Sequence, residues 1–189
     1  MDDGERLVLF DPLSVPEELL ALTVERSPVV VLTAPWHERD TESLFARLRA
    51  FPVFVPPPDT AEDLVRKYGI PLAQAGRGSP DVAWLLASHR GRAHLYASGD
   101  RLPPGIEALA GRESNDMVLW IESRRVLLTG DTLVDYGKGL QLNEWLRGGV
   151  TRREVVERLQ PLLSLPIELV LPAHGPPTDL SGLVRALAS

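Results

Sequence analysis

The sequence predicts a single α/β domain, and three observations carry that prediction. The front half alternates apolar, β-branched segments with stretches that open on helix-capping residues. The middle pairs strand-like segments through short polar links. The end returns to helix, strand and helix. Both faces of at least part of such a sheet system must be covered, and no linker divides residues 1–189 into two units.

Arg6–Phe10 reads as a short buried strand that ends at an Asp-Pro turn. Pro16 and the Glu17-Glu18 pair start a helix running to about Val24. Residues 29–33 are apolar and β-branched, which suits a central strand. A helix is expected from about Glu42 to Arg49, capped by Asp40 or Thr41. The strand Val53–Val55 is followed by a helix over Ala61–Tyr68 with Gly69 as its stop, and residues 70–80 read as loop. Four strands are expected at 82–87, 93–97, 117–121 and 126–129. The links 89–92 and 122–125 read as hairpin turns, hence antiparallel pairing. Helices are expected at 142–146 and 152–163, a strand at 167–171, and a last helix from Asp179 or Ser181.

Composition narrows the function classes. With 44% hydrophobic and 24% charged residues the chain has an ordinary globular balance, and 189 residues can close a core without disulfides. The net charge is −6, and the basic pairs Arg124-Arg125 and Arg152-Arg153 are short. That leaves no basic footprint for nucleic acid or an anionic membrane. Cysteine is absent, which excludes disulfides, thiolate ligands and cysteine nucleophiles and fits a reducing cytoplasm, the expected location. The start of the chain is acidic, without the basic and apolar regions of a secretory signal, and the longest apolar run is far too short to span a bilayer.

Chemistry-bearing residues follow four of the apolar segments, the strand ends where α/β proteins place their sites. Asp11 closes the first and serves either as a supporting carboxylate or as a turn residue. The second leads into Trp36-His37-Glu38-Arg39-Asp40. Here His37 is a potential ligand or base and Glu38 or Asp40 a potential catalytic carboxylate, while the structural alternative packs His37 beside Trp36 and makes Asp40 a helix cap. In Leu128-Thr129-Gly130-Asp131 the glycine allows a tight exit, so that Asp131 projects from the strand end as a metal-bridging or turn-stabilising group. His174 sits at a strand exit between Pro and Gly residues. His89 and His94 lie in or beside a hairpin at a spacing that suits surface or cross-strand roles.

The segments LVLFDP, VVVLTAPWHERD, LLTGDTL and LVLPAHGP stand in an order that resembles the metallo-β-lactamase superfamily. The resemblance implies an αββα sandwich of two mixed β-sheets with outer helices, here lacking the first strands. It places Asp131 at the bridging Asp, His174 at the last His and Asp11 at a supporting position. At the H-x-H-x-D-H positions stand Ala34, Trp36, Glu38 and Arg39, so no ligating His remains in register and His37 lies one place off. The third His position falls in the stretch from Gly111 to Met117, which has none; Glu113 or Asp116 are its potential substitutes. Arg39 and Arg112 near the cleft oppose a cation and favour an anion.

Two functions follow. The lost ligands favour a protein without catalysis that binds a small anionic ligand or a protein partner. The alternative is a hydrolase that holds one divalent ion, zinc above all, on His37, Asp131 and His174, with Glu38 or Asp40 orienting water for attack on an ester, thioester, amide or phosphoester. The cofactor expectation is therefore none or a single divalent metal. A shortened sheet leaves an edge that invites a partner strand, so a homodimer is also expected.

Overall fold

The computed structural model describes residues 1–48, 50–89 and 91–188. The expected helix end at Arg49, the Arg90 of the first turn and Ser189 lie outside them.

Three apolar layers organise the chain. Strands β1 (Arg6–Phe10), β2 (Ser27–Val31), β3 (Val53–Val55) and β4 (Ala93–Leu95) form a sheet in sequential order, parallel throughout. Its connections carry α1 (Glu17–Ala21), α2 (Thr41–Arg47), α3 (Ala61–Tyr68), α4 (Leu72–Ala75) and α5 (Ala83–Ser88). Side chains alternate along each strand. Leu7, Leu9, Val30, Val53 and Val55 face Leu20, Leu44 and Leu85 of the helices. Val8, Val29 and Val31 face the other way, into the space between the sheets.

The second sheet is mixed. It contains β5 (Arg101–Leu102), β6 (Ile106–Ala110), β7 (Met117–Ile121), β8 (Val126–Gly130) and β11 (Leu169–Pro172), in the order β11-β8-β7-β6-β5. Only the β8–β11 pair is parallel. Met117, Leu119 and Ile121 meet the first sheet, while Val118 and Trp120 face outward under α6 (Arg152–Leu159) and α7 (Leu180–Ala188). The short strands β9 (Leu133–Val134) and β10 (Gln141–Leu142) pair antiparallel nearby. The layers thus run helix, sheet, sheet, helix. Each fully buried Leu or Val in them contributes roughly 1.5–3 kcal/mol.

Several local expectations are corrected. Residues 83–88 form a helix, so the link after them leads to a parallel strand and not to a hairpin. The cause is tertiary: the Glu38 carboxylate accepts hydrogen bonds from Val82 N at 3.1 Å and Trp84 Nε1 at 2.6 Å, giving the helix start an acceptor from another part of the chain. Residues 142–146 are not helical. Leu142 pairs with Leu133, and Asn143 N donates to Thr132 O. The 70–80 loop contains the short α4, and β5 and β6 were not expected at all. The 117–121/126–129 hairpin stands as expected, with a 3-10 turn at Glu122–Arg124. His94 lies across from Phe54, whereas His89 stacks on the Phe45 ring. The outer edge of β1 is not bare: Met1 and Val8 exchange main-chain hydrogen bonds, and Asp2 bridges Leu7.

Candidate metal centre

The site is assembled from residues that leave the ends of β1, β2, β8 and β11. Asp11 follows β1 with φ of 41°. Its carboxylate accepts from Thr33 N at 2.7 Å and Thr33 Oγ1 at 2.6 Å, tying the exits of β1 and β2 together. The same carboxylate lies 3.0 Å from His37 Nδ1. An ionised carboxylate can only accept, so Nδ1 carries a proton and Nε2 is left to face the other way.

Asp131 follows β8. A Cβ on the preceding Gly130 (φ 50°) would lie 2.9 Å from Thr33 Oγ1, so the close passage of the two strand ends requires glycine. Asp131 Oδ2 accepts from Trp36 Nε1 at 2.9 Å and lies 3.9 Å from Arg112 Nη2. Asp131 Oδ1 is buried and, among the described residues, has no donor besides the two ring nitrogens it faces, His37 Nε2 at 3.2 Å and His174 Nε2 at 3.4 Å. Ligand atoms of His37, Asp131 and His174 all lie within 4.8 Å of one another. His174 leaves β11 and keeps 44% of its side chain exposed, so one side of the cluster is open.

Electrostatics follow from this packing. Burial pushes the His37 pKa down, but the hydrogen bonds and charges of Asp11 and Asp131 outweigh it and raise the pKa to about 9. For Asp131 burial acts upward. His37, Trp36 and Arg112 overcome it and hold the carboxyl well below the usual range. Asp116 is fully buried, and that burial lifts its pKa to about 6 against the pull of Arg112.

The remaining expected site residues are placed as follows. Arg112 is committed: Nε donates to Asp116 at 2.7 Å and Nη1 to Trp145 O at 2.8 Å. Trp36 turns its indole N–H onto Asp131 and packs edge-on to His37. Arg39 reaches the Asp11 main-chain oxygen at 3.4 Å. Glu38 holds the start of α5, and Asp40 Oδ2 accepts from Ser14 N. Neither carboxylate belongs to the histidine cluster. Glu113 pairs with Lys67, and Asp116 with Arg112 and Thr132. Sequence reasoning missed Thr33 as the link between Asp11 and His37. Its position at a strand exit, directly before the His37 loop, was the only signal for it.

Two sheets face to face between outer helices, with a His/Asp/His cluster at the strand ends, decide the architecture. The chain has the metallo-β-lactamase fold. No protein-family model matches the sequence, and neither does any curated protein. Among solved structures it is similar to the BLEG-1 B3 metallo-β-lactamase, at 20% identity and a TM-score of 0.60 over 97% of this chain and 88% of that one. TTHA1623, solved in a di-iron-bound form, is 26% identical with a TM-score of 0.57 over 95% and 87%. The archaeal superfamily protein ST1585 from Sulfolobus tokodaii is 14% identical with a TM-score of 0.64 over 98% and 76%.

Within this fold the metal site is reduced. An ion bound by two imidazoles and a carboxylate at about 2.0–2.2 Å wants its ligand atoms roughly 3.3 Å apart if tetrahedral. The separations of 3.2 and 3.4 Å around Asp131 Oδ1 match that spacing, the three ligand atoms all lie within 4.8 Å of one another, and a cation there would satisfy the buried Oδ1. The residues therefore fit one divalent ion. Asp131 Oδ2 already accepts from Trp36 Nε1, with Arg112 Nη2 3.9 Å away, and among the described residues His37, Asp131 and His174 form the one such cluster. Among the described residues no helix is long and apolar enough to cross a membrane.

Proposed function

We propose that this protein is a single-metal hydrolase of the metallo-β-lactamase fold. The observation that carries the reading is the buried Asp131 Oδ1, set between the Nε2 atoms of His37 and His174 at a metal-ligand spacing. Three protein ligands with one open side are the pattern of a catalytic zinc site, whereas structural sites close with a fourth. TTHA1623 carries two irons in its di-iron-bound form, which supports metal binding on this scaffold.

Each residue has a definable task. Asp11 and Thr33 hold the His37 ring so that Nε2 presents its lone pair. Trp36 and Arg112 fix Asp131 through Oδ2 and leave Oδ1 free. His174 stands at the solvent edge, where substrate arrives. A bound zinc-class ion supplies Lewis acidity, activating water near neutral pH and polarising a carbonyl or phosphoryl oxygen. Glu38 and Asp40 serve the scaffold in this reading. Substrates are esters, thioesters, amides or phosphoesters.

A second reading rests on the high proton affinity of His37. As an imidazolium between Asp11 and Asp131 it closes a charge network without metal and leaves a non-catalytic cleft for an anion or a protein. Turnover separates the two. Ester, phosphodiester and β-lactam chromogens are offered to zinc-loaded, tag-free protein. The hydrolase reading expects turnover that vanishes on chelation, returns with zinc, and is lost in His174→Ala. Inactivity against the whole panel, in folded protein that retains no zinc, supports the second reading.

A further inference from the structure

Cations concentrate around one cavity outside the cluster. It encloses about 420 Å³, and its wall carries Arg66, Lys67, Arg112, Arg147 and Arg158 against one carboxylate, Glu113. None of His37, Asp131 and His174 lines it.

Three of those cations are already neutralised. Lys67 Nζ sits 2.6 Å from Asp59, 2.7 Å from Glu113 and 3.0 Å from Asn115. Arg112 pairs with Asp116, and Arg66 with Asp63 at 2.6 Å. Arg147 and Arg158 are held differently. The Arg147 guanidinium lies over the Tyr68 ring, 4.9 Å from its centroid. Arg158 Nη1 donates to the main-chain oxygens of Gly111 at 2.6 Å and Arg112 at 3.3 Å. Glu154, one turn back on the same helix, hydrogen-bonds Thr151 and feels the Arg158 charge only at a distance beyond an ion pair. Two guanidiniums are thus positioned by a ring and by carbonyls, and among the described residues neither makes an ion pair with a carboxylate.

A guanidinium has five N–H donors in a planar fork. The Nη1 contacts of Arg158 leave its Nε and Nη2 donors for a ligand, and holding the group in advance lowers the entropic cost of binding. Ser98 and Ser114 also line the cavity. Forked cations suit a doubly charged anion with several acceptor oxygens. The volume exceeds what a bare phosphate fills and lies in the range of small-ligand pockets.

We propose that this cavity binds a small phosphomonoester through Arg147 and Arg158. The site is independent of the metal reading: it forms with or without an ion at the cluster.

The test is calorimetric titration with inorganic phosphate, phenyl phosphate and succinate. It uses metal-stripped and zinc-loaded protein, with circular dichroism to check that each variant folds. Phenyl phosphate should bind both forms and bind more tightly than succinate. Arg147→Ala, which removes the guanidinium over the Tyr68 ring, should weaken binding about tenfold, and Arg147→Ala with Arg158→Ala about a hundredfold. His174→Ala should bind like the unaltered protein. Four results overturn the proposal: no binding up to about 10 mM, binding unchanged in Arg147→Ala, tighter binding of succinate, or binding that needs zinc and His174.

Discussion

His37 Nε2 and Asp131 Oδ1 face each other across 3.2 Å, with His37 Nδ1 already turned to Asp11. Two acceptor atoms at that distance need a positive charge between them, and a proton and a metal ion compete for the place. The competition yields two predictions. In Asp11→Asn the carboxylate that orients the ring is gone, so zinc affinity should fall roughly ten- to hundredfold in a folded protein; unchanged affinity in a competition titration would remove Asp11 from the site. In metal-free protein, the His37 pKa is raised from 6.5 to about 9. Its contribution to stability is therefore fully present below pH 6.5 and lost as pH rises through 9. Urea unfolding in chelator should show about 3 kcal/mol less stability at pH 9.5 than at pH 6. The loss should be absent in His37→Gln, and a flat profile in the unaltered protein contradicts the network. The sequence placed His37, Asp131 and His174 at strand ends because Gly, Pro and turn residues announce those exits. It could not reveal which charged groups would be consumed elsewhere, since Glu38 meets Val82 N and Trp84 Nε1 from a distant part of the chain and Arg112 reaches the Trp145 main-chain oxygen.

Helix α5 shows how an element escapes a local reading. Its sequence, Ala-Trp-Leu-Leu-Ala-Ser, is a short apolar run, and such runs fit a buried strand or a buried helix equally well. The Glu38 carboxylate decides for the helix by meeting Val82 N and Trp84 Nε1. Glu38→Ala should therefore cost about 1–3 kcal/mol in urea unfolding and leave zinc stoichiometry intact. Loss of zinc at unchanged stability would instead return Glu38 to the metal centre. Residues 142–146 escaped for a similar reason. Trp145 O receives Arg112 and Asn143 N bonds to Thr132 O, contacts that no local pattern encodes. By contrast α3 and α6 carry capping boxes, Thr60 with Asp63 and Thr151 with Glu154, and both were readable.

Across the whole molecule, period-two alternation in Leu7-Val8-Leu9 and Val29-Val30-Val31 divides each strand between two apolar layers. The second sheet repeats the device with Met117, Val118, Leu119 and Trp120. Covered on both faces, the sheets bring four strand ends to one site, which is why scattered motif residues meet. The strand-helix alternation and the 117–129 hairpin made this architecture legible, while the β5–β6 pair stayed hidden behind short segments around Pro103-Pro104-Gly105. The metal-centre account is tested most directly by elemental analysis of tag-free protein supplied with zinc, manganese and iron. It predicts about one tightly held divalent ion per chain, absent from Asp131→Asn and His174→Ala and retained in Glu38→Ala. Two ions per chain, or none in a folded protein, would contradict it.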